Sequence, residues 1–110
     1  MLKIAMSSAA SALLRGLIAK AGVARDRILL SEIRSVDWQS LTFIGERHEL
    51  ELRIPPPRSA AVAKRLCAGL ADAEFHIPGH VLADIAIRGH PRRAEDGAIF
   101  LNIEALTIQE

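Results

Sequence analysis

The strictest pattern in the chain is the alternation of apolar and charged residues in RHELELRI, residues 47–54. Leu50, Leu52 and Ile54 share one parity, and charged residues occupy the other. Because successive side chains of a strand point to opposite faces of a sheet, this alternation predicts a strand with one buried face and one face in water. Such a strand is typical of an antiparallel sheet that is covered on one side only.

Two amphipathic helices are predicted to supply the cover. Ser7 or Ser8 can cap the first helix, which runs to about Ala21, and Pro57 or Ser59 can open the second. Apolar residues recur at helical spacing in both segments. We therefore expect each helix to pack one apolar face against a flat layer.

The remaining segments predict four strands and two tight connections. Gly45-Glu46 is predicted to form the first hairpin turn, with Gly45 supplying a positive φ. HPRRAEDG, residues 90–97, is predicted to be a polar turn between the last two strands. The apolar parity of the final strand shifts near its end, which indicates a bulge or a strand that is apolar on both faces. The predicted strand segments are residues 28–44, 47–54, 74–89 and 98–108.

The order helix, strand, strand, helix, strand, strand predicts an α+β fold. It would be a two-layer sandwich, with a four-stranded antiparallel sheet and both helices on one face. The halves are faintly alike, since SAASA at Ser8–Ala12 resembles SAAVA at Ser59–Ala63. The arrangement therefore resembles a circularly permuted ferredoxin-like pseudo-duplication, an architectural analogy that implies no function. The length of 110 residues predicts a single domain, residues 1–110.

The amount of apolar side chain points to association. Half of the residues are hydrophobic although aromatics make up only 4%. A domain of this size leaves much of its surface exposed, and two helices cover only one face of a sheet. We therefore expect the chain to bind itself, as a homodimer, or another protein.

Charge and cysteine usage exclude other partners and suggest a compartment. The chain has 14 basic and 13 acidic residues, so no global field attracts nucleic acid or an acidic membrane. The basic tip at Arg92-Arg93 has no interleaved aromatic residue to stack on bases, so nucleic-acid binding is the least favoured role. Arg15 interrupts the apolar N-terminal run, which argues against a signal peptide. Cys67 is the only cysteine, and this favours a reducing cytoplasm.

One stretch, SVDWQSLTFIGERHELEL at residues 35–52, suggests a binding site. Trp38 would form an apolar wall, Arg47 would hold an anion, His48 would donate a proton, and Asp37 would orient the histidine. The alternative is that these polar residues flank a turn and that Trp38 is a core or interface anchor. We assign no catalytic residue on this basis, and whether the protein is an enzyme stays open.

No cofactor or metal site is predicted. Cys67 lacks a CxxC partner, and His76 and His80 flank Pro78-Gly79 in a strand-like stretch that would separate them. The stretch DWQSLTFIGERH resembles small bacterial proteins of unknown function, and this resemblance implies no activity. The leading hypothesis is a small non-enzymatic interaction or assembly module. The alternative is a small-molecule-binding or catalytic protein with a cleft near Trp38, Arg47 and His48.

Overall fold

The structure, a computed structural model, describes residues 6–110 and confirms the predicted order of elements. Residues 1–5, which belong to the predicted domain and to the N-terminal run weighed as a signal peptide, lie outside the described residues. Short 3₁₀ turns follow each helix, at Arg25–Arg27 and Leu70–Asp72. The main elements are α1 Ser8–Ala21, β1 Leu29–Gln39, β2 Ile44–Ile54, α2 Ser59–Cys67, β3 His80–Arg93 and β4 Ile99–Gln109.

The ends of α1 follow from its sequence. The Ser7 hydroxyl accepts a hydrogen bond from the backbone N–H of Ala10 at 3.1 Å, as expected of an N-cap. Gly22 ends the helix in the left-handed conformation, at φ 67°. Lys20, in the last turn, donates from Nζ to the carbonyl of Arg65 at 3.0 Å. This bond ties the end of α1 to the end of α2.

The strands form one antiparallel sheet in the order β1-β2-β4-β3. Each helix–hairpin half contributes one edge strand and one central strand, and β2 and β4 meet in the middle. This pairing confirms the predicted four-stranded α+β sandwich. The predicted alternation of β2 is also confirmed, because His48, Leu50, Leu52 and Ile54 are buried.

The core lies between the helices and one face of the sheet. Its side chains come from α1, α2 and the covered parity of all four strands. Each fully buried Leu or Ile contributes about 1.5–3 kcal/mol relative to an exposed one. The largest fully buried apolar side chains are those of Leu13, Leu17, Leu50, Leu52, Ile54, Leu66, Ile85, Leu101 and Ile103.

The first hairpin turns before Gly45-Glu46, so the predicted turn position is wrong. β1 ends at Gln39 and β2 begins at Ile44. The Ser40 N–H donates to the Phe43 carbonyl at 2.9 Å, and the Phe43 N–H donates to the Ser40 hydroxyl at 3.1 Å. Because the serine side chain closes the turn, no glycine is required there.

Gly45 instead lies in the strand and meets a close backbone. It pairs with Trp38 of β1 on one side and with Ile108 of β4 on the other. A Cβ at this position would lie 2.0 Å from the Thr107 carbonyl oxygen and 3.0 Å from the Ile108 Cα. Glycine is required because the neighbouring backbone leaves no room for a side chain.

The second hairpin also differs from the prediction. β3 begins at His80 and continues to Arg93, through the first half of the predicted polar turn, and the connection occupies residues 94–98. Register shifts after Leu82 and after Arg88 reset the faces of the strand. Val81 therefore lies on the face opposite Ile85, although strict alternation would place the two odd-numbered residues on the same face. β4 pairs with β2 without a register shift, so its parity change arises because its end is apolar on both faces.

We expect Gly45→Ala to destabilise the protein by about 1–3 kcal/mol, because the added methyl overpacks the β2–β4 backbone contact. Urea unfolding followed by circular dichroism measures the change. Glu46→Ala, at the next position of β2, is the matched control and should cost far less. Equal losses in the two variants would contradict the role given to Gly45.

Candidate functional site

The sheet face that turns away from the helices, called here the open face, is the main candidate for function. Register assigns its residues: each open-face position of β2 or β4 pairs with open-face positions of the neighbouring strands. The face divides into two regions of different chemistry. One is a band of charged residues, and the other is an apolar end.

Glu104 of β4 organises the charged band. Its Oε1 accepts from Arg47 Nη1 of β2 at 2.7 Å, and its Oε2 accepts from Arg88 Nε of β3 at 3.0 Å. One half-buried carboxylate therefore links the two central strands and an edge strand. The band as defined here consists of Glu32, Arg34, Arg47, Glu49, Glu51, Arg88, Arg92 and Glu104.

The outer parts of the band are paired more loosely. Arg34 lies 3.9 Å from Glu49, and Arg92 lies 3.8 Å from Glu51. The Arg92 guanidinium also stacks 4.3 Å from the centre of the Phe100 ring. Exposed pairs of this kind contribute only about 0–1 kcal/mol each. Their main consequence is that this part of the open face is balanced in charge and compatible with water.

The apolar end lacks the paired charges that make the band compatible with water. Trp38, Gly45, Ile108 and Val81 form one row across all four strands, from β1 through β2 and β4 to β3. The hairpin tip beside this row is also apolar, and Leu41 is fully exposed at 103% of its reference area. Contiguous exposed apolar surface is unusual on a lone soluble domain and marks contact sites. The apolar end consists of Val36, Trp38, Leu41, Phe43, Val81, Leu106 and Ile108.

The four residues predicted to form a binding site lie close in the sheet but on opposite faces. Trp38 and Arg47 belong to the open face. Asp37 and His48 have the other parity and point to the side of the helices. The structure therefore brings Trp38 near Arg47 and places His48 beyond their reach. Ligand binding at these residues stays a prediction.

His48 is a buried link between three strands. Its Nδ1 lies 2.7 Å from the Ser35 hydroxyl of β1, and its Nε2 lies 2.9 Å from the Thr107 hydroxyl of β4. Thr107 in turn donates to the Glu46 carbonyl at 3.5 Å, which leaves its oxygen to accept from Nε2–H. The imidazole has no exposed area, so it cannot act as a proton donor on the open face.

Burial sets the charge state of His48. Desolvation lowers the pKa of the imidazole below its usual 6.5, and nearby His80 lowers it further, while Glu46 opposes the shift. The neutral ring is therefore the favoured form in the fold. It satisfies polar groups beneath the apolar end and stabilises the part of the sheet that carries Trp38.

Other chemical sites find little support within residues 6–110. No three His, Cys, Asp or Glu residues of this part come together in a way that would hold a metal ion. Burial raises the pKa of the half-buried Cys67 thiol, which lowers its reactivity. A concavity of about 340 Å³ on the open face is lined chiefly by the charged band, and none of the four predicted site residues contributes to it.

The charged band was not predicted as a unit. Arg47 and Glu104 are far apart in the chain and meet only through the β2–β4 register. The pattern of each strand shows that charged residues face water, but the pairing across strands decides which charges meet. The position of Trp38 next to a strand glycine was likewise hidden by the misplaced turn.

Comparison with known proteins shows a likeness of fold. No known protein family matches the chain, and no curated protein matches it significantly. A chain in the solved structure of the virion of a native gene transfer agent particle superposes with a TM-score of 0.62. The match has 16% sequence identity and covers 94% of this chain and 99% of that one. None of the helices among the described residues has the length and apolar character needed to traverse a membrane.

We expect the stability advantage of the wild type over His48→Gln to shrink as the pH falls below about 6.5. The unfolded histidine takes up a proton there, whereas the folded one, with its lowered pKa, resists protonation, so unfolding is favoured. Urea unfolding at a series of pH values measures the difference. His76→Gln, at an exposed side chain, is the control. Parallel pH profiles for the wild type and His48→Gln would contradict the buried-link role.

Proposed function

We propose that this protein is a non-enzymatic assembly module that binds another protein subunit through the apolar end of its open face. In its simplest form the partner is a second copy, which gives a homodimer. The observation that carries this proposal is the apolar row from Trp38 to Val81, continued at the hairpin tip by the fully exposed Leu41.

The arrangement of the open face supports association with a protein. Interfaces between proteins have an apolar centre and a polar rim. The apolar end supplies such a centre, and the charged band beside it supplies a rim in which most charges are paired. Trp38 is the natural anchor, since tryptophan contributes strongly at the centre of interfaces.

The likeness to a virion chain supports the same reading. That chain belongs to a particle, which is a protein assembly, and this protein shares its fold. We extend the proposal accordingly: the module serves as a structural component of a multi-chain particle rather than as a free catalyst. The lone Cys67 supports assembly inside a reducing cytoplasm.

Association can be tested by light scattering over a micromolar concentration series. We expect the wild type to reach the mass of a dimer or a larger assembly. Trp38→Ala should raise the dissociation constant about tenfold or more, because it removes an interface anchor.

Phe100→Ala is the matched control, because Phe100 is the half-buried aromatic residue at the charged end of the same face. It should associate like the wild type. A wild type that stays monomeric throughout the series, or equal effects of the two substitutions, would refute the proposal.

A further inference from the structure

We infer that a second copy of this chain binds at the β1 side of the apolar end, where its β1 pairs antiparallel with β1 about a twofold axis at Val36. This inference rests on the proposed function and specifies the partner and the mode of contact. It joins two four-stranded sheets edge to edge into one continuous sheet. The two edges of each four-stranded sheet differ in their capacity to pair with another strand.

Only the β1 edge of the sheet is suited to pairing with a strand of another molecule. β3, at one edge, carries register shifts after Leu82 and Arg88, and it contains Gly89 and Pro91. Bulges and proline are the usual devices that protect an edge strand from pairing. β1, at the other edge, has a single register shift, between Leu30 and Glu32. Its remaining length to Gln39 is regular.

The free hydrogen-bonding groups of β1 can be assigned. The Ser40 N–H donates to the carbonyl of Phe43, the residue before β2, and the same pairing continues along the strands. The even-numbered residues of the regular segment therefore direct their backbone groups toward β2. The odd-numbered residues at 33, 35, 37 and 39 therefore direct their N–H and C=O groups away from the sheet. This row of donors and acceptors is a template for another strand.

The geometry of the sheet limits the registers in which two copies of β1 can pair. The two open faces must stay on the same side, so directly opposed residues must have the same parity. An axis at Val36 satisfies this condition and pairs the whole regular segment, with Glu32 of one copy opposite Ser40 of the other. Ser35 and Asp37 then form a hydrogen-bonded pair, and Val36 meets its own copy in a non-hydrogen-bonded pair.

The side chains of this register are complementary. On the open face, Arg34 lies opposite the partner's Trp38, an arrangement that favours a cation–π contact. The two Val36 side chains form an apolar centre between these contacts. No like charges oppose each other directly. The exposed Leu41 follows Ser40 at the end of the paired segment, and this register places it near the partner's Ser31.

Other registers are less favourable. An axis at Ser35 places Glu32 against the partner's Trp38 and Ile33 against the partner's Asp37. Axes at Arg34 or Asp37 place two like charges directly opposite each other, which is destabilising. The sequence of β1 therefore complements itself best about Val36, and this commits the edge to a second copy of the chain.

Cysteine cross-linking tests the register. In a Cys67→Ala background, Val36→Cys places two thiols in a non-hydrogen-bonded pair, where the Cα separation suits a disulfide. We expect a covalent dimer on exposure to oxidised glutathione. Arg34→Cys is the control, because its two copies would lie four positions apart along the strands, about 13 Å, and should not cross-link. Equal cross-linking of both variants, or none of Val36→Cys, would overturn the inference.

A proline substitution tests the backbone pairing. The outward N–H of Asp37 is not used within one chain, so Asp37→Pro leaves the fold intact, as a thermal melt can verify. Because the pair has twofold symmetry, Asp37→Pro removes two intermolecular hydrogen bonds. This loss should raise the dissociation constant roughly ten- to a hundredfold. Asp37→Ala keeps the N–H and is the control.

The outcomes separate this inference from the proposed function. If Asp37→Pro and Asp37→Ala associate equally while the wild type still forms a dimer sensitive to Trp38→Ala, the β1 pairing is wrong and the assembly function stands. If the wild type never associates, both fail. Loss of association in Asp37→Pro alone, together with the selective Val36→Cys cross-link, supports the β1 pair.

Discussion

The structure depends on one constraint of coverage: two helices shield a single face of the four-stranded sheet. α1 and α2 pack on the parity that carries Leu50, Leu52 and Leu101, and these side chains form the core. The other face must therefore meet water or a partner. Every feature of functional interest in this protein is a consequence of how the open face meets that requirement.

The open face meets it in two different ways. Around Glu104, arginines and carboxylates neutralise one another and make the surface compatible with water. Beyond this band, the row from Trp38 to Val81 has no charges to hydrate it. That row lies over closely packed strands, because Gly45 lets two backbones approach closely and His48 links three strands beneath it. An apolar surface bordered by a balanced polar rim is the surface at which we propose that a protein partner binds.

Local signals predicted most of the architecture, and non-local pairing decided the rest. The Ser7 N-cap, the helix end at Gly22 and the alternation of β2 are properties of short segments, so the sequence alone could predict them. The hairpin position was not, because the Ser40 side chain closes a turn without glycine. The residues of the candidate site are divided between two faces for a related reason: Arg47 and His48 are neighbours in the chain, but consecutive strand residues face opposite sides of a sheet.

The fluorescence of Trp38, the only tryptophan, tests the central claim that the apolar end becomes covered by protein. Emission spectra recorded across the concentration range in which the scattering mass rises would report the surroundings of this one side chain. The account predicts that the emission maximum shifts to shorter wavelength in step with the mass, because the indole leaves water. A spectrum that stays constant while the mass doubles would show that association uses another surface and would contradict the account.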